Sequence, residues 1–154
     1  YCHTFDMRSW IFRFANIIGD RGTHGIIVDF IHKLKRDPAH LEILGDGKQS
    51  KSYQHVRECV DAMMLVVLKG NDQVNIFNIG SEDTISATRI GEIVAEEMAQ
   101  DPEFKYTGGS QGWKGDVPKM MLSIEKLKAL GWKPGVGSEE NVRVTARSLL
   151  QAMA

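Results

Sequence analysis

The sequence predicts an α/β fold, and three observations carry that reading. Short aromatic and β-branched runs of strand length alternate with longer segments whose apolar residues recur at helical spacing. The first such run, Trp10 to Ala15, is apolar almost throughout, which suits a strand covered on both faces and so favours parallel pairing. Turn formers punctuate the boundaries, as at Asp37-Pro38, Gly45-Asp46-Gly47 and Gly70-Asn71-Asp72.

Taken in order, Tyr1 to Asp6 reads as the last turn of a helix, and Trp10 to Ala15 as a strand. From Gly25 the period changes: Ile27, Phe30, Ile31 and Leu34 share one helical face, which Asp37-Pro38 terminates. Leu41 to Leu44 and Ser52 to Val56 are short strands, and Arg57 to Lys69 is an amphipathic helix. Val74 to Ile79 is a strand closed by Gly80. Ser86 is positioned to cap a helix over Ala87 to Met98 that buries Ile90, Ile93, Val94 and Met98. Phe104 to Tyr106 is extended, and a glycine-rich loop runs from Thr107 to Pro118. Ser123 is expected to cap a helix ending at Gly131, and Ser138 a last helix with Val142, Thr145, Ala146, Leu149, Leu150 and Met153 at helical spacing.

Composition narrows the function classes. A chain of 154 residues with 42% apolar residues can build one core-bearing domain. Its 19 basic and 20 acidic residues nearly cancel, so no overall field draws it to nucleic acid or an anionic membrane. No apolar run approaches the roughly 20 residues of a membrane span. Cys2 and Cys59 are isolated and the five histidines lack paired spacing, which argues against a disulfide framework or a metal site and for a reducing cytoplasm. Tyr1 is not an initiator methionine and no signal pattern follows it, so the chain is expected to start in mid-protein.

Candidate chemistry collects on loops. Asn16 follows directly on a buried-type strand, where open parallel sheets place their ligands; its amide either meets a ligand or caps a turn through its own backbone. Arg13, inside the apolar run, reads as an ion-pair or backbone anchor. The turn from Gly45 to Lys51 sets two lysines beside glycines, a geometry that could offer charge and N–H groups to phosphate. The loop from Gly108 to Asp116 combines an aromatic ring, a cation and a carboxylate, the mix that clamps a polar ligand with a ring. No GxGxxG or GxxxxGK[ST] follows a strand, and no nucleophile elbow occurs.

Four motifs, in order, carry a resemblance. Arg13-Phe14-Ala15-Asn16-Ile17-Ile18-Gly19 resembles R-[YF]-x-N-x-x-G, and Leu44 to Tyr53 resembles GDGxQxR-[DS]-[FY]. Asn75 to Gly80 is similar to YNIG, and Gly115-Asp116-Val117-Pro118 through Leu130-Gly131-Trp132-Lys133-Pro134 to a GDVP and LGWxP segment. The chain thereby resembles the C-terminal half of an extended short-chain dehydrogenase/reductase, in the branch of NAD-dependent nucleotide-sugar epimerases and dehydratases.

That resemblance implies the last strands of an NAD-binding Rossmann sheet (residues 1–20 and 52–80) and a small substrate-binding α/β domain (21–51 and 81–154). It implies that Asn16, Ile26, Lys51, Lys114 and Asp116 bind a UDP-sugar, with Asn16 on the diphosphate and Asp116 on the ribose or anchoring its loop. Phe14 and Ile17 would lie near the nicotinamide of NAD. At Lys51 the family usually has arginine, so the charge is kept without the planar fork. Trp113 takes the slot of the arginine that precedes Gly-Asp. The implied parent activity is UDP-sugar 4-epimerisation, with 4,6-dehydration, decarboxylation or a non-catalytic nucleotide-binding module as alternatives. The family's GxxGxxG fingerprint and Tyr-x-x-x-Lys pair have no counterpart in these motifs; Phe5, not lysine, stands four residues after Tyr1. The expectation is therefore a chain with no catalytic residue of its own, without bound NAD, inactive alone and self-associating through exposed strand edges.

Overall fold

In the computed structural model, which describes residues 1–153, the chain runs α1 (Cys2–Phe5), β1 (Ser9–Phe14), β2 (Asn16–Ile18), α2 (Ile26–Arg36), β3 (His40–Ile43), β4 (Ser50–Lys51), β5 (Tyr53–His55), α3 (Val56–Lys69), β6 (Val74–Ile79), β7 (Ile85–Ser86), α4 (Ala87–Glu97), β8 (Glu103–Tyr106), β9 (Lys119–Met120), α5 (Glu125–Ala129) and α6 (Ser138–Ala152). The α/β class and the parallel pairing expected from the sequence are both present. β1 runs parallel to β6 in the register Ser9 with Val74 to Phe14 with Ile79, and β2 pairs with β5 and β3 with β8 in the same sense. β4 lies between β7, antiparallel, and β9, parallel.

The expectation that β1 is covered on both faces does not hold: Ile11 and Phe14 are 45% and 47% exposed. Only one edge of β1 is paired, with β6, so its apolar character marks a surface as well as a core. Arg13 is exposed and forms no ion pair among the described residues, contrary to its reading as an anchor. The strand expected over Ser52 to Val56 is divided. Ser52 is fully buried between β4 and β5, its hydroxyl donating to the Ser81 carbonyl and accepting from the Ser81 N–H.

Apolar spacing builds two cores. Ile31 and Leu34 of α2 pack with Ile90, Ile93 and Val94 of α4 and with Val142, Ala146 and Leu149 of α6 around β3 and Tyr53. Cys59, Ala62 and Val66 of α3 meet Phe77 and Ile79 of β6, with Ile124 and Leu127 closing that cluster. Ser86 caps α4 as the sequence predicts, its hydroxyl accepting from the Arg89 N–H at 3.1 Å. An ion-pair lattice of Arg89, Arg143 and Arg147 with Glu96, Glu97 and Glu139 joins α4 to α6; bonding to Arg147 and Arg143 holds the Glu97 carboxyl below its usual range against the opposing effect of burial.

The other two caps differ from expectation. Ser123 makes no side-chain cap on α5, and its carbonyl instead accepts from Asn78 Nδ2 at 2.8 Å. At α6 the capping oxygens belong to Asp83, which accepts from the Ser138 N–H at 2.9 and 3.0 Å. The Ser138 hydroxyl is thereby free to accept the buried Tyr53 N–H at 3.0 Å, tying α6 to β5. Ser138→Ala leaves that N–H unpaired and is expected to destabilise the fold by about 1–3 kcal/mol. Urea unfolding checks this as a lower midpoint at unchanged slope.

Candidate functional site

At Ala15 the chain changes partners. The Ala15 N–H donates to Ile79 of β6, whereas the next N–H, of Asn16, donates to Ser52, and β2 then pairs with β5. Asn16 therefore sits where two strands diverge, the position at which parallel sheets open a crevice. Gly80 ends β6 here because any Cβ would run into Ala15. The Asn16 amide does not cap a turn on its own backbone: Nδ2 donates across the fork to the Ser52 carbonyl at 3.1 Å.

The crevice is a cavity of about 740 Å3. Ile17, Ile26 and Leu44 contribute apolar wall, Trp113 lines it from the long loop, and Tyr53 and Thr145 reach it from β5 and α6. Lys51 and Asp116, both on its lining, form an ion pair with Nζ to Oδ1 at 2.5 Å, and their side chains are 21% and 5% exposed. Asp116 also accepts from the Gly112 N–H at 3.0 Å, and Gln111 Nε2 donates to its carbonyl at 3.0 Å. Burial is the largest influence on the Asp116 carboxyl and pushes its pKa up, but the Lys51 ammonium and the Gly112 and Val117 N–H groups outweigh it and hold the pKa below the usual carboxylate range. Burial, with the Asp116 charge adding to it, raises the Tyr53 phenol to about 12, so Tyr53 is a hydroxyl donor at neutral pH and not a base.

Of the residues that the sequence marks as candidates, Asn16, Ile17, Ile26, Lys51 and Asp116 converge on this cavity. Phe14 and Lys114 do not. Phe14 is exposed on β1, its ring tilted against Phe12 with centroids 6.2 Å apart, and Lys114 is exposed on the outside of its loop. The glycine turn does not form the phosphate cradle that its composition allows. Gly45 and Gly47 have φ of +82° and +75°, but a Cβ on Gly45 would strike the Gln49 amide and one on Gly47 the Thr88 and Tyr106 side chains. The turn is filled by protein, and Lys48 points to a separate hollow beside Ser86 and Thr88. The turn instead roots the long loop: Gly45 N–H donates to Thr107 Oγ1 at 2.8 Å and Gly108 N–H to the Gly45 carbonyl at 2.9 Å. Gly109, Gly112 and Gly115 are regularly spaced, yet the next helix after them does not begin until Glu125, so this loop offers no helix N-terminus to a pyrophosphate.

Leu44, Gln49, Tyr53 and Thr145 line the site without being marked by residue type alone. Gln49 and Tyr53 lie inside the Leu44–Tyr53 motif itself, and a hydroxyl on the apolar face of α6 is the signal for Thr145. At the rim, Asp20 accepts from Arg57 and meets His55 Nε2 at 3.2 Å; its bond to His55, more than the charge of Arg57, lowers its carboxyl pKa. Among the described residues no group of side chains is arranged to hold a metal ion, and no helix is long and apolar enough to cross a membrane. Both cysteines are free, and burial pushes the Cys59 thiol up.

Residues 1–80, which include the fork at Asn16 and the strands β4 and β5 bearing Lys51 and Tyr53, match the model of the NAD dependent epimerase/dehydratase family. The chain belongs to that family. Its likeness to solved members extends through the remaining residues. The chain superposes on a crystal structure of a UDP-galactose 4-epimerase with a TM-score of 0.87 and 35% identity, covering 100% of this chain and 49% of that one. The UDP-glucose 4-epimerase of Thermotoga maritima, crystallised with UDP-glucose, gives 0.81 and 26% over 99% of this chain and 49% of that one. GDP-mannose 3,5-epimerase of Arabidopsis thaliana is 29% identical over 150 residues, 94% of this chain and 38% of its own length. This epimerase/dehydratase chain thus spans about half the length of the relatives it matches, or less. Its cavity is lined by polar groups of several kinds: two amides, an ammonium, two carboxylates, an imidazole, a phenol and a hydroxyl.

Proposed function

We propose that this chain is the nucleotide-sugar-binding part of an NAD-dependent UDP-sugar 4-epimerase. The observation that carries the reading is the convergence of Asn16, Lys51 and Asp116, drawn from three separated motifs, on one cavity walled by Ile17 and Ile26. In this reading Asn16 donates its second amide N–H to the ligand's diphosphate, Lys51 supplies the neighbouring charge, and Asp116 orders the loop that closes over the nucleotide. NAD belongs to the whole enzyme, where Ile17 is placed to meet the nicotinamide. The chain alone binds ligand without turning it over, because no Tyr-x-x-x-Lys pair is present in its 154 residues to move the sugar's proton.

Isothermal calorimetry with UDP and UDP-glucose tests this. Saturable binding is expected, weakened about tenfold by Asn16→Ala, the effect of one hydrogen bond to a charged group. No heat at millimolar ligand, or binding indifferent to Asn16, would overturn the reading.

A further inference from the structure

The α3 helix is apolar on two sides, and the fold covers one of them. Cys59, Ala62 and Val66 are buried in the cluster with Phe77 and Ile79 of β6. Val56, Val60, Met64 and Leu68 lie away from that cluster and are between 41% and 76% exposed. A soluble helix ordinarily turns a polar face to water, and apolar residues on a further face mark further burial. The four exposed residues recur at intervals of four, so they form one i±4n ridge across the helix surface. The row on one flank, Cys59, Met63 and Val67, is apolar as well, whereas the charges Arg57, Asp61 and Lys69 stand in the row on the other flank. No charge interrupts the ridge itself.

The molecule has surface to spare for a contact there. It exposes 8967 Å2 against about 7,800 Å2 for a folded monomer of this mass, a surplus of about 1,200 Å2. A specific interface takes about 800 Å2 from each partner. The other bare apolar surface, at Ile11 and Phe14 of β1, has the exposed Arg13 between them, a guanidinium with no ion pair among the described residues, and covering it would strand that charge. The α3 ridge carries no such penalty and is complementary to itself. A second α3, antiparallel and related by a two-fold axis at the middle of the ridge, sets Val56 of one copy against Leu68 of the other and Val60 against Met64, so each of the four meets an apolar side chain. Two ridges of this kind interdigitate with the helix axes inclined by about 50°.

We propose that the α3 ridge is a homodimer interface, across which a second copy of this chain packs its own α3 about a two-fold axis. The contact is then made by a helix face and not by a strand edge.

Sedimentation of the full chain tests this. The wild type at micromolar concentration is expected to run at twice the 17.2 kDa of one chain. Met64→Glu and Val60→Lys each put a charge into the contact and none into the core, and each is expected to give a monomer with an unchanged circular-dichroism spectrum. Mixing these two variants is expected to restore a dimer, because position 60 of one copy faces position 64 of the other and the new charges are opposite. Ile11→Lys, on β1, is expected to leave the wild-type dimer intact. A wild-type monomer would leave the ridge to some other partner and overturns the proposal. So does a dimer that survives Met64→Glu, one that is lost on Ile11→Lys, or a mixture of the two variants that stays monomeric.

Discussion

Lys51→Ala is expected to lower the stability of the chain by about 3 kcal/mol at neutral pH, the low end of the cost of stranding one partner of a buried ion pair. The low end applies because Lys51 is a fifth exposed, whereas Asp116, the charge left behind, is 5% exposed. The pH dependence carries the sharper test. With Lys51 present, folding depresses the Asp116 pKa below 3.8, so the pair's stabilisation is fully present above that pH and is lost as pH falls through the folded value. Without Lys51, burial, the largest single influence on the carboxyl, pushes its pKa up against the Gly112 and Val117 N–H groups alone. The variant then loses stability as pH climbs from about 4 toward neutrality, where a buried lone carboxylate must ionise. Chemical unfolding at several pH values between about 4 and 7 should show the gap between variant and wild type widening with pH. A gap independent of pH would mean that Asp116 is not stranded.

Gly45→Ala is expected to cost a similar amount, about 3 kcal/mol, from two sources of roughly equal size. One is the left-handed backbone at φ +82°, worth about 1–3 kcal/mol for a residue with a Cβ. The other is the collision of that Cβ with the Gln49 amide and the Gln111 carbonyl, an overpacking cost of about 1–3 kcal/mol. For a chain of this size the melting temperature should fall by about 10 °C. Gly25→Ala separates the contributions, since Gly25 has φ +101° and a Cβ there would meet nothing within 4 Å. Calorimetric melting of both variants should show the loss at Gly25 as backbone strain alone, and a Gly45 loss no larger than that at Gly25 would refute the crowding.

The helices are legible in the sequence because their apolar periods are long. Ile27, Ile31 and Leu34 in α2 and Val142, Ala146 and Leu149 in α6 each repeat through several turns, and all six are buried. The short strands are not. β4 and β9 are two residues each and exist as strands because Ser50 and Lys51 meet Lys119 and Met120 on one side and Ser86 and Ile85 on the other, facts of tertiary contact that no local pattern announces. The helix caps at Ser123 and Ser138 fail for the same reason, since Asp83, from far along the chain, takes the capping position expected of Ser138. At the site, residue types point to Asn16, Lys51 and Asp116, but not to Gln49. A glutamine in a turn reads as surface until the neighbouring glycines are seen to close on it. Arg13 fails in the opposite sense: a charge inside an apolar run implies burial only when both faces of the strand are covered.

The two-residue strand β4 also bears on the order in which the molecule assembles. Ser50 is hydrogen-bonded to Thr84, 34 positions away, and Lys51 to Asp116, 65 positions away. Closing loops of that length is slow compared with winding α2 or α6, whose contacts are local. The wall that carries the ion pair is thus expected to be laid down after the individual helices have wound. An amide-exchange experiment would meet this ligand cavity as one of the least protected parts of an otherwise well-packed chain.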